Sequence, residues 1–122
     1  MYESDREYFP GTMIKFGGEK EITIANDEAH GVITTKPGLI LNGNSEDEGK
    51  IMLGVALTGR VPILVRGVVK RGDKIVLSDD TPGVGQVKSD GLNKPVLAIA
   101  LGNKTTSEVG LVECVTKINF DV

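Results

Sequence analysis

One cysteine, one histidine and no tryptophan occur in 122 residues. Cys114 alone cannot form an internal disulfide, and His30 alone cannot serve a site built on two histidines or on a Cys/His cluster. Disulfide scaffolds and cysteine-rich zinc sites are therefore excluded. Aromatic residues make up 4% of the chain and the net charge is −3. Nucleic-acid surfaces usually need a basic excess and stacking rings, so no nucleic-acid partner is expected. No apolar run approaches the roughly 18–20 residues of a helical membrane span. Residues 1–10 are acidic, unlike a secretory signal, and no membrane partner is expected. Alanine, the strongest helix former, occurs only five times. No window free of Gly and Pro repeats its apolar residues with a helical period, so no long helix is expected.

What is abundant is β-branched. Val, Ile and Thr number 14, 10 and 9, and 16 glycines are spread along the chain. Such side chains lose rotamer freedom on a helix and pack well on a pleated surface. The length fits one domain. Residues 1–8 read as a flexible acidic lead-in, and residues 9–122 as a single β domain. Short strands are expected over 12–16, 21–25, 31–35, 39–41 and 51–58. After a turn at Gly59-Arg60, a nearly continuous run covers 61–66 and 68–69. Further strands are expected over 73–77, 84–87, 95–101 and 109–118. That is about nine to ten strands at even spacing, the pattern of an all-β barrel or sandwich. Val61, Ile63, Val65, Val68, Ile75, Leu77, Ile99, Leu101, Val112 and Val115 are assigned to its core.

Charge is uneven. Residues 1–50 carry 5 bases against 10 acids, and residues 51–122 carry 9 against 7. An acidic front meeting a basic back is a sign of self-association. The most hydrophilic stretch, residues 42–50, reads as an exposed loop. Its Asn42, Asn44, Glu46, Asp47 and Glu48 offer oxygens of the kind hard cations take, but the spacing departs from a helix-flanked calcium loop, and no metal is assigned. Ser45 has only Lys50 as a nearby base, so no nucleophilic serine is assigned either. These five residues form the candidate interaction loop. His30 beside a turn reads as a capping or packing residue. Cys114, with Val112 and Thr116 on one face and Leu111, Glu113 and Val115 on the other, reads as a small buried hydrophobe. Arg71-Gly72-Asp73 spells an adhesion tripeptide but is explained by turn chemistry, with Gly supplying positive φ and Asp bonding nearby backbone. The glycine pairs do not sit between a strand and a helix, as a phosphate loop requires. No catalytic residue and no cofactor are expected.

Several segments, in order, form a familiar series. They are Tyr8-Phe9-Pro10-Gly11-Thr12-Met13-Ile14, Gly17-Gly18-Glu19-Lys20-Glu21-Ile22-Thr23-Ile24 and Gly31-Val32-Ile33-Thr34-Thr35-Lys36-Pro37-Gly38. Then follow Val55-Ala56-Leu57-Thr58-Gly59-Arg60-Val61-Pro62, Gly67-Val68-Val69-Lys70-Arg71-Gly72-Asp73, the Pro82-Gly83-Val84-Gly85 turn and a final Leu-Ala-Ile-Ala strand. The series resembles the C-terminal β domain of tail-fibre and related structural proteins of T4-like phages, especially marine and cyanobacterial ones. It is also similar to the self-cleaving intramolecular-chaperone domain at the ends of phage tailspikes and neck appendages. Gly59, Arg60, Val61 and Pro62 carry the most specific block, with Gly72 and Asp73 in a weaker one.

The resemblance implies a non-enzymatic virion protein that joins copies of itself, as a trimer, at a fibre end. Its implied partners are other virion proteins and a host surface receptor met through loops such as 42–50. Two further readings stand beside it. One is a capsid-decoration protein that docks through the acidic lead-in, and the other is a self-cleaving chaperone domain. A sugar-binding module is a fourth, weaker reading.

Overall fold

Burial alternates strictly along the last long strand. Val112, Cys114 and Thr116 are buried, whereas Leu111 and Val115 are exposed. A period of two arises when a pleated strand lays one face on a core and the other in solvent. The computed structural model describes residues 1–34, 50–89, 91 and 94–117. Among them lie eleven strands and no helix. The strands are β1 (Tyr2–Ser4), β2 (Met13–Phe16), β3 (Ile22–Ile24), β4 (Gly31–Ile33), β5 (Ile51–Leu53), β6 (Val55–Ala56), β7 (Thr58–Val65), β8 (Lys74–Leu77), β9 (Gly85–Val87), β10 (Ala98–Ala100) and β11 (Gly110–Lys117). The all-β, helix-free architecture matches the composition.

The strands form two barrel-like sheets. The first has the order β5-β1-β3-β2-β4-β6, and the second is a closed barrel, β10-β11-β7-β9-β8. In the first sheet, Leu53 and Val55 lie on opposite edges yet are separated only by Gly54. The chain cannot stretch more than about 3.5 Å per residue, so the sheet must curl until its edges nearly meet. In the second, β7 and β11 pair antiparallel from Thr58↔Lys117 to Gly110↔Val65. Closure comes from β10 against β8, with Ala98 opposite Ile75. Closing a barrel removes its free strand edges.

The sheets share a core. Met13, Ala25, Ala29 and Val32 of the first pack with Val61, Ile63, Val65, Ile75 and Val112 of the second. A separate cluster fills the first sheet alone, with Tyr8, Ile14, Ile22, Ile33 and Leu53. Successive strand residues point to opposite faces, so Met13 enters the shared core and Ile14 the other cluster. Three backbone bonds stitch the sheets together. Met13 N–H donates to the Gly83 carbonyl at 2.8 Å, Gly83 N–H to the Ala25 carbonyl at 2.7 Å, and Leu64 N–H to the Gly11 carbonyl at 2.9 Å. Gly83 sits at φ +77, where a Cβ would lie 2.8 Å from the side chains of both Ile24 and Thr12.

Several sequence expectations need correction. The lead-in is not a free arm over its whole length, because Tyr2–Ser4 form β1, paired with β5 and β3, and Tyr8 is buried. The strand expected over 51–58 is broken at Gly54, and the turn expected at Gly59-Arg60 lies inside β7. Val68, Ile99 and Val115, assigned to the core, are exposed. Gly67 takes φ +82 and ends the strand before Val68, leaving Val69 buried instead. In β10, Ala98 and Ala100 take the inner side, and Ile99 faces out. The strand expected over 39–41 lies outside the described residues.

Candidate functional site

The residues singled out by sequence do not converge. Asn42, Asn44, Glu46, Asp47 and Glu48 lie outside the described residues. In β7, Gly59 takes φ +106 with open space around it, and Val61 is buried in the shared core. Arg60 is exposed, and its Nε donates to Glu113 Oε1 at 3.0 Å. Pro62 is opposite Glu113. Gly72 and Asp73 belong to the turn leading into β8, which β9 separates from β7 in the barrel. The Lys70 N–H donates to Asp73 Oδ2 at 2.8 Å, and Asp73 N–H donates to the Lys70 carbonyl at 2.9 Å. Gly72, at φ +93, donates its N–H to the Ala100 carbonyl at 2.8 Å. Arg71 N–H reaches Asn103 Oδ1 at 2.8 Å, and its Nε reaches the Leu101 carbonyl at 2.9 Å. The adhesion-like tripeptide is thus folded back onto its own barrel.

Several titratable groups bond to internal partners. Tyr8 donates its hydroxyl to Asp5 Oδ1 at 2.7 Å, and Thr23 donates to Asp5 Oδ2 at 2.8 Å. Burial pushes the Asp5 carboxyl up, but the bonds from Tyr8 and Thr23 outweigh it and hold it below the ordinary value. Burial, and then the bond to Asp5, pushes the Tyr8 phenol up. Lys15 Nζ donates to Asn26 Oδ1 and Asp27 Oδ1 at 2.9 and 3.0 Å. His30 Nδ1 accepts the Phe16 N–H at 2.9 Å while its ring stacks on Phe16 at a centroid distance of 5.9 Å. Cys114 is buried, with its Sγ donating to the Val112 carbonyl at 3.3 Å. Burial, reinforced by the charge of Glu113, pushes its thiol up to about 11. That is the opposite of an activated nucleophile. Among the described residues no three His, Cys, Asp or Glu side chains gather as metal ligands.

A shallow groove of about 370 Å³ is lined by Arg66, Gly67, Val68, Gln86, Val87 and Ser107. Arg66 Nη1 donates to Asp80 at 2.9 Å and its Nη2 to Gln86 at 2.8 Å, so the guanidinium is already committed.

The barrel's outer wall is the more distinctive surface. Val109, Leu111 and Val115 expose 48%, 55% and 42% of their area, and Ile99, directly across from Val115, exposes 40%. On the other flank, Leu64 is opposite Leu111, Pro62 opposite Glu113 and Arg60 opposite Val115. The Gly11 α-carbon lies so close to Leu111 that a Cβ would stand 2.5 Å from its Cδ2. Phe9, two residues earlier, is 70% exposed. Solvent-facing walls normally alternate to polar residues; here Glu113 is the one charged side chain among Val109, Leu111, Glu113 and Val115. Sequence reasoning separated the two faces of this strand but sent Val115 and Ile99 inward, and so missed the row.

No family model, curated protein or solved structure matches the chain.

Proposed function

We propose that this chain is a non-enzymatic structural protein of a phage virion, a tail-fibre-type C-terminal domain that holds copies of itself together at a fibre end. The observation that carries the reading is the use made of the segments bearing the resemblance. Gly11 and Met13, Val61, and Gly83 lie at the joint between the two sheets, bonded backbone to backbone or buried in the shared core. They serve rigidity at that joint. Rigid shells with covered edges suit cyclic assembly, in which each copy offers one surface to a different surface of its neighbour. The other virion proteins of the fibre and a host surface receptor, met through residues 42–50, are the partners of this reading. The capsid-decoration reading, which a free acidic lead-in would suit, loses that support where β1 pairs with β5.

The test is the state of the purified chain. Sedimentation across a wide concentration range should give a multiple of 13.0 kDa, with a trimer expected, and mass spectrometry after prolonged incubation should return the intact chain. A strict monomer at every concentration overturns the assembly reading. Spontaneous release of a fragment overturns the non-enzymatic one in favour of a self-cleaving chaperone.

A further inference from the structure

We infer that residues 2–8 are a strap whose opening is coupled to that of β5, so that β1 and β5 come away together while the second barrel stays closed. The topology carries the inference. Among the described strands β5 pairs with β1 alone, through Tyr2↔Leu53, Glu3↔Met52 and Ser4↔Ile51. β1 lies between β5 and β3, and its hold on β3 is slight. One register pair, Ser4↔Ile22, joins them, with Glu21 N–H donating to the Glu3 carbonyl at 2.9 Å and Asp5 N–H to the Ile22 carbonyl at 3.4 Å. The opposite edge of the sheet differs, because β6 pairs with β4 and β2 holds β4 in turn. Every strand of the second barrel has two neighbours. A strand with a single partner loses its ladder when that partner leaves, so β5 depends on the start of the chain.

A latch at the far end keeps the strap down. Asp5 accepts the Tyr8 hydroxyl at 2.7 Å and the Thr23 hydroxyl at 2.8 Å, and the Tyr8 hydroxyl accepts the Ile24 N–H at 3.2 Å. These bonds fasten the strap to β3 and none of them reaches β5. Weakening them acts on β5 through β1. The opening unit ends at Gly54, whose carbonyl accepts the Thr34 N–H at 2.9 Å and so ties the chain after β5 to the residue that follows β4. Local opening draws on segments with few bonds to the rest of a structure, which describes this pair of three-residue strands. Opening would bare the edges of β3 and β5 together, and a bared edge is a surface on which an extended chain can pair.

The test is hydrogen exchange of the full chain, read residue by residue by NMR in increasing urea. In the wild type the protected amides of residues 2–4 and 51–53 should share one opening free energy, below that of residues 61–65 and 111–116. Asp5→Ala removes an exposed side chain, and Tyr8→Phe keeps the buried ring. Each should speed exchange of residues 2–4 and 51–53 by about tenfold. Gly72→Ala, in the turn before β8, should leave residues 51–53 unchanged. Latch variants that leave residues 51–53 unchanged, whether or not residues 2–4 speed up, uncouple the two strands and overturn the inference. Equal acceleration of β7 and β11 by the latch variants, or faster exchange of residues 51–53 in Gly72→Ala, means that β5 opens only with the whole molecule and overturns it as well. If the latch variants fail to fold, the wild-type profile decides alone, and distinct opening free energies for the two strands overturn the coupling. The assembly reading stands or falls separately, by sedimentation.

Discussion

Tyr8 and Asp5 lock the start of the chain to the third strand. The Tyr8 hydroxyl donates to Asp5 Oδ1 at 2.7 Å and accepts the Ile24 N–H at 3.2 Å, so one phenol joins a carboxylate to a strand backbone. Thr23 completes the set by donating to the other Asp5 oxygen at 2.8 Å. The arrangement accounts for a buried Tyr8 in a stretch that reads as a free lead-in.

Removing the hydroxyl with Tyr8→Phe leaves the Ile24 N–H and one Asp5 oxygen without this partner. The expected loss is about 1–2 kcal/mol, measured by urea unfolding. The pH dependence has a definite sign. Asp5 is held below its ordinary 3.8 in the folded chain, so its contribution is complete above that value and is lost as pH falls through the folded value. The stability gap between wild type and Asp5→Asn should be flat above about pH 5 and shrink in acid below it. A gap that instead grows on acidification contradicts the network.

The glycines separate two kinds of strain. Gly59 and Gly72 take positive φ in open space, so alanine there meets only the backbone cost of about 1 kcal/mol. Gly83 takes positive φ against Ile24 and Thr12, and alanine there adds overpacking of about 1–3 kcal/mol. Urea midpoints should rank Gly83→Ala well below the other two. Equal midpoints would mean that the joint between the sheets gives way easily.

The fold class was legible because β-branched residues, glycine punctuation and alternation all agree. The phase of β11 was legible too, since Val112, Cys114 and Thr116 already share a face in the sequence. Val112 and Cys114 were also read as buried, as they are, but Val115 was sent inward beside them. Ile99 and Val115 are the larger residues beside Ala98, Ala100 and Cys114, and hydrophobicity alone sends them to the core. Barrel closure decides otherwise: the interior facing β8 and β7 takes Ala98, Ala100 and Cys114, and the bulky neighbours face out. β1 was not legible because three residues, Tyr2-Glu3-Ser4, show no pattern of their own and are held by distant partners, Ile51–Leu53 and Ile22. The candidate wall was missed for the same reason as the core error, because one misassigned alternation hides a surface and inflates a core together.

His30 offers a local test of packing against hydrogen bonding. Its Nδ1 accepts the Phe16 N–H at 2.9 Å and its ring stacks on Phe16 at 13° between planes. His30→Ala removes both and should cost about 1–2 kcal/mol. His30→Phe keeps a ring but no acceptor and should fall between alanine and wild type. A phenylalanine variant as unstable as alanine would assign the effect to the lost ring nitrogens, Nδ1 on the Phe16 N–H and Nε2 beside Glu28, and not to the ring stacking.

Cys114 tests the phase of the barrel directly. Burial and the neighbouring Glu113 charge push its thiol from 9.0 up to about 11. Ionisation alone should then slow thiolate-dependent labelling near pH 8 by about a hundredfold relative to the unfolded chain. Exclusion of the reagent slows it further, so labelling should proceed through opening of the barrel and accelerate in urea along the unfolding curve. The linkage has the matching sign: a raised thiol favours the folded chain below 9.0, and that advantage is lost as pH rises through about 11. Cys114 faces in and Val115 faces out by the same alternation, so fast labelling of the native chain would turn Cys114 outward. It would remove Leu111 and Val115 from the outer wall in the same stroke.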